Sequence, residues 1–180
     1  MAEFSRPLRL AEVPADGLPL QLDATAGERA AVARRLGLLS LDLLQGTLSI
    51  RPLARGGLEL TGSLQAKLEQ SCVVTLEALP VEVSRPLNLR FLDEGAFRQH
   101  ESAQEDPLDG PDVEPMPGGE SLDLGELLVE ELSLGLDPHP RRVDAGFTDL
   151  SLGPDGSADG SAGSSGSPFA VLEGLVGKTR

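Results

Sequence analysis

Three observations predict an α+β fold for this chain of 180 residues. Apolar and polar residues alternate with period two from 39 to 92, helix signals mark 25–36 by its start and stop residues and 124–135 by apolar residues at helical spacing, and the connections between the alternating runs are short. Period two marks strands with one buried face. Short connections require antiparallel neighbours, because a parallel pair needs a crossover of a dozen or more residues. The expectation is a single domain in which a curved antiparallel β-meander packs with two helices, joined by a disordered acidic loop and followed by a Gly/Ser-rich C-terminal linker.

Each element has a local reason. In FSRPLRL, Leu8 and Leu10 alternate and Pro7 suits a strand start or an edge; LPLQL, from Leu18 to Leu22, predicts a second short strand. Thr25 and Glu28 have capping-box spacing, Arg34 and Arg35 fall where cations suit the end of a helix dipole, and Gly37 is a stop, so a helix is expected over about 25–36. Leu48 and Ile50 lead to a turn at 54–57. Beyond it Leu58, Leu60, Leu64, Ala66, Leu68, Cys72, Val74 and Leu76 share even parity, predicting one long strand. After a break at 78–80 the parity flips to Val81, Val83, Leu87, Leu89 and Phe91.

Residues 94–120 are rich in Glu, Asp, Pro and Gly with little to bury, which predicts a mobile acidic loop. A helix over about 124–135 follows from the capping-box spacing of Asp123 and Glu126, a hydrophobic staple of Leu122 with Leu127, and Leu124, Leu128 and Leu132 on one face. Pro138 lies past its end. These elements are expected to form one domain over 1–150. Residues 151–167 are a flexible linker by composition, and 168–180 a short apolar C-terminal segment.

Composition narrows the function. There is no Trp or Tyr and there are five Phe, so the core rests on Leu, Val and Ala. No run reaches the roughly 18 charge-free apolar residues of a membrane span, and charges at Glu3, Arg6, Arg9 and Glu12 break any secretory h-region. One cysteine forms no internal disulfide. A cytoplasmic protein is expected. The net charge of −14 is unevenly spread: residues 1–92 carry ten acidic and ten basic side chains, whereas 93–137 carry fourteen acidic ones and a single basic one, Arg98. Such a middle is expected to repel nucleic acid and either to match a basic protein or to serve only as a solvated loop that keeps the chain soluble.

No catalytic constellation stands out. His100 and His139 lack ligand-like spacing to each other or to Cys72, so neither a zinc site nor a Cys–His nucleophile is expected. The glycine-rich stretches lack the Lys and spacing of a phosphate loop. No enzyme activity, cofactor or metal is expected, and Cys72 reads as a small buried apolar side chain.

The order of motifs carries a resemblance: a Leu-rich meander leading to GSLQAKLEQSCVVTLEALP, a strand ending RFLD, an acidic loop, the helix LDLGELLVEELSLGLDPHPR, and a closing SPFAVLEGL. The chain resembles the YceD family of large ribosomal RNA subunit accumulation proteins, in the form common in alphaproteobacteria, over about 1–145 and the last dozen residues. Many relatives carry a C-x-R-C-L-E pattern; here Cys72, Leu76 and Glu77 stand with Thr75 in place of the second cysteine. The resemblance implies a non-enzymatic role in accumulation of large-subunit (23S) ribosomal RNA and in large-subunit assembly.

Two modes of action follow. In the first, the acidic loop and helix meet a basic ribosomal protein or assembly factor through Glu126, Glu130, Glu131, Asp137 and Arg141. In the second, RNA is bound directly by a basic patch of Arg29, Arg34, Arg35, Arg51, Arg55, Lys67, Arg85 and Arg90.

Overall fold

The computed structural model describes residues 2–54, 57–103, 110–117 and 121–143. The fold is α+β. A five-stranded sheet holds β2 (Leu18–Asp23), β3 (Ser40–Pro52), β4 (Leu58–Ser71), β5 (Ala78–Leu92) and β6 (Asp112–Pro115) in that order. Strands β2 to β5 form the antiparallel meander, and β6 joins β5 in parallel, with Leu89 opposite Asp112. A two-stranded sheet pairs β1 (Pro7–Arg9) with β7 (Ser121–Asp123). The helices are α1 (Ala26–Leu36), α2 (Glu94–Ala103) and α3 (Leu124–Gly135).

The alternation decides which face of the meander is buried. Leu44, Leu48 and Ile50 on β3, Leu58, Leu60 and Leu64 on β4, and Leu87, Leu89 and Phe91 on β5 form one apolar face. On it pack Val32 of α1, Leu124, Leu128 and Leu132 of α3, and Phe4. A register shift between Leu41 and Leu43 lets Leu41 and Leu44, of opposite parity, both turn inward. Gly46 sets how closely α3 approaches: a Cβ there would stand 2.6 Å from Leu128 Cδ1.

Three prolines lie inside strands without costing a ladder bond. Leu92 O accepts from Met116 N at 2.7 Å on the β6 side, so even-numbered residues of β5 direct their backbone groups that way. Among the described residues β6 covers only Leu89 to Leu92. Pro80 and Pro86 therefore point their missing N–H at an open edge. On β2 the even positions face β3, as Ala24 N donating to Leu44 O continues, and Pro19 faces the other edge, which no strand among the described residues pairs.

Helix α1 starts as expected: Glu28 N donates to Thr25 Oγ1, Thr25 N donates to Glu28 Oε2 at 2.7 Å, and Gly37 ends it with φ 67°. Helix α3 spans the expected residues, but its cap is not reciprocal. Asp123 accepts from Gly125 N and Glu126 N, while the Glu126 carboxylate turns instead to Arg35, 2.6 Å away.

Two expectations are corrected. The strand expected to reach Leu76 ends at Ser71. Cys72 N donates to Glu77 O and Leu76 N to Cys72 O, both at 2.9 Å, closing a turn in which Leu76 takes φ 61° and is 77% exposed. Apolar residues in that turn imitated strand parity. The stretch 94–120, expected as a mobile loop, holds a third helix and a strand. Asp93 caps α2 by accepting from Ala96 N at 2.7 Å, and Arg98 pairs with Glu94 one turn away, so local hydrogen bonding supports a helix where acidic composition argued for none. The expected linker at 151–167, the segment 168–180 and Arg55 lie outside the described residues.

Candidate functional site

The N-terminal segment is held to both α1 and α3 by charge. Asp123 accepts from Arg6 N at 2.7 Å and Ser5 Oγ at 2.5 Å besides capping α3. Arg6 forks onto Glu28 with bonds of 2.7 and 3.1 Å and lies 4.7 Å from the Phe4 ring centroid. Arg35 bridges Glu3 at 3.0 Å and Glu126 at 2.6 Å. The Arg6 guanidinium above all, then the Thr25 bonds, hold the Glu28 carboxyl at about 2 against an ordinary 4.5. Although its burial opposes this, Asp123 also lies below the usual carboxylate value, because Ser5, Arg6 and the α3 backbone donate to it.

A carboxylate lowered in the folded state contributes stability that is complete above its unfolded value and is lost as pH falls toward its folded value. For Glu28 that window runs from about 4.5 down to about 2. A Glu28→Gln protein is expected to show a flatter Tm profile than the parent across that window. Parallel profiles would count against the Arg6–Glu28 contact.

The acidic residues singled out in the sequence separate. Glu126 is half-buried against Arg35, and Glu131, 5% exposed, pairs with Arg85 at 2.9 Å. Those two hold α3 to α1 and to β5. Glu130 is exposed, as are Asp137 and Arg141 beyond the helix. The segment 137–143 lies over the β4–β5 turn: Gln70 Nε2 donates to Asp137 O at 3.0 Å, Val73 N to Pro140 O at 2.9 Å, and Arg142 meets Glu77 at 2.5 Å.

The basic residues are largely committed. Arg35 and Arg85 are spent on α3, Lys67 pairs with Glu82, and Arg90 with Glu59, each pair 2.9 Å apart. Arg29 donates to Ala24 O at 2.7 Å. Among the described residues Arg34 and Arg51 make no ion pair. The geometry brings two acidic candidates onto two basic ones, Glu126 onto Arg35 and Glu131 onto Arg85.

One concentration of acid survives, and it includes residues that a reading of 94–120 as loop could not place. Strand β6 carries Asp112 and Glu114 beside Glu130 and Glu131 of α3. Loss of solvent, and then the carboxylates of Glu130, Glu131 and Asp112, push the Glu114 carboxyl above its ordinary value. The signal for this surface was Val113 between Asp112 and Glu114, an alternation too short to mark a strand.

Cys72 is buried, as expected, but in the turn and beside polar groups. Its Sγ accepts from Thr75 N at 3.5 Å. The Thr75 hydroxyl and the backbone N–H groups of Thr75, Arg142 and Val74 draw the thiol down to about 6 against burial. Among the described residues no three His, Cys, Asp or Glu side chains are placed to hold a metal ion.

Fold and surface together define a small α+β protein with one sheet face covered by α1 and α3 and an acidic edge where β6 meets α3. Residues 60–176, more than half of the chain, match the large ribosomal RNA subunit accumulation protein family, YceD. The chain belongs to that family, whose name implies a role in accumulation of large-subunit ribosomal RNA. No curated protein and no solved structure matches it. Residues 1–59 lie outside the match, yet their β1 pairs with β7 and their Arg35 with Glu126. No helix among the described residues is long and apolar enough to cross a membrane.

Proposed function

We propose that this protein is a non-enzymatic factor that supports accumulation of large-subunit ribosomal RNA, and so large-subunit assembly, by contact with a basic ribosomal protein or assembly factor. The contact surface is the acidic edge of Asp112, Glu114 and Glu130. The observation that carries this reading is geometric: exposed Asp112 and Glu114 of β6 stand beside exposed Glu130 of α3, and none of the three makes an ion pair among the described residues. A cationic partner relieves the repulsion among these carboxylates, speeds encounter and makes the association salt-sensitive. Direct RNA binding has less support, since Arg35, Lys67, Arg85 and Arg90 are already ion-paired and each phosphate contact needs a cation to displace counterions.

The test is a triple variant, Asp112→Asn, Glu114→Gln and Glu130→Gln, followed by co-sedimentation with large-subunit precursors from growing cells. Loss of about 1 kcal/mol or more, fivefold or greater at low salt, is expected for a steered contact. Unchanged co-sedimentation removes this reading. Tight binding of the unaltered protein to purified ribosomal RNA, falling steeply with salt, favours the RNA alternative.

A further inference from the structure

Beneath α2, at the end of the sheet, lies a groove of about 540 Å3 whose lining includes Leu53, Leu92, Ala96 and Val113 together with Arg90 and His100. That volume falls in the range of about 300–1,000 Å3 typical of ligand sites. Val113 stands opposite Arg90 in the β5–β6 register, so the groove opens on the sheet face away from α1 and α3. The Arg90 guanidinium donates twice to Glu59 Oε1, at 2.9 and 3.1 Å, so its charge is largely met from within the protein. What the groove offers is an apolar lining, and it asks for an apolar group.

The surroundings say what kind of molecule carries that group. Exposed Asp93 and Glu101 stand at the two ends of α2, and Asp112 and Glu114 flank Val113 along β6. Phosphate is repelled by such a border, and among the described residues no Phe, Tyr or Trp lines the groove, the imidazole of His100 being its one ring for a base to stack on. A cationic peptide is attracted. Because adjacent strand residues face opposite ways, Val113 belongs to the groove while Asp112 and Glu114 belong to the acidic edge. One peptide crossing the short β6 strand therefore meets both.

We infer that this groove seats a single apolar side chain of a Lys- and Arg-rich segment of a protein partner, whose cations lie on the acidic edge. The inference rests on the reading above and adds the anchor to it; interfaces commonly concentrate their energy in one such desolvated side chain within a polar rim.

A photo-crosslinking residue placed at Gln99, which also lines the groove, tests this in the full chain in growing cells. The expected adduct is a protein segment whose crosslinked residue is apolar and has several Lys or Arg close by. Val113→Asp and, separately, Ala96→Asp should abolish the adduct and weaken co-sedimentation with large-subunit precursors about tenfold, as loss of one anchor does, with Tm confirming a folded protein. An adduct to RNA, an adduct to a neutral or acidic segment, or no adduct overturns the inference. If the triple acidic variant weakens co-sedimentation while both groove variants leave it unchanged, the groove inference fails and the acidic edge stands. If neither set has an effect, both fail.

Discussion

A Gly46→Ala protein is expected to lose about 2 kcal/mol of stability, the usual scale for overpacking a filled core. The added Cβ would stand 2.6 and 2.9 Å from the two methyl carbons of Leu128, whose side chain is fully buried, so it can move only by displacing core neighbours. Leu128→Ala alone should cost about 3 kcal/mol through its cavity. The double variant is the informative one. With Leu128 shortened, the new methyl enters space instead of a neighbour, so the combined loss should fall well short of the sum of the singles. Urea unfolding of the four proteins measures this, and strict additivity would mean that α3 does not rest on β3 at Gly46.

The second large effect is expected at Arg85 and Glu131. The Glu131 side chain is 6% exposed and Arg85 33%, so Arg85→Leu strands a carboxylate with little access to water. Breaking a buried pair from one side costs about 3–5 kcal/mol, and the partial exposure of Arg85 places the loss near the lower figure. Replacing both residues by Leu should recover most of it, because no unpaired charge then remains. If the double variant proves as unstable as Arg85→Leu, Glu131 is held by something other than this arginine.

These two sites mark where sequence reasoning stops. The limits of α1 and α3 were legible because their signals are local: a capping side chain three residues from its partner, an apolar stripe, a glycine or proline at the end. The inward face of β4 and β5 was legible from parity. The turn at Cys72 to Glu77 was not, because Val74 and Leu76 continue the parity of β4 for reasons unrelated to pairing. Helix α2 was hidden by acidic composition, which describes its solvent side and says nothing of Ala96 against the sheet. An inventory of charges counts Glu126, Glu131, Arg35 and Arg85 as surface, because nothing local in the chain says that α3 will lie across α1 and β5. Only the tertiary pairing reveals that these four cancel and that Asp112, Glu114 and Glu130 make no ion pair among the described residues.

The prolines on the open edges bear on how the protein survives its own synthesis. Arg6 waits for Asp123, 117 residues further along; at about 5–20 residues per second that is of order ten seconds on the ribosome. For part of that interval β2 to β5 are already made while α3, which covers their apolar face, is not. Neighbouring nascent chains on one message hold the same unfinished sheet close by, and open edges are where such sheets zip together. Pro19, Pro80 and Pro86 remove donors from both of those edges, in the unfinished sheet as in the finished one.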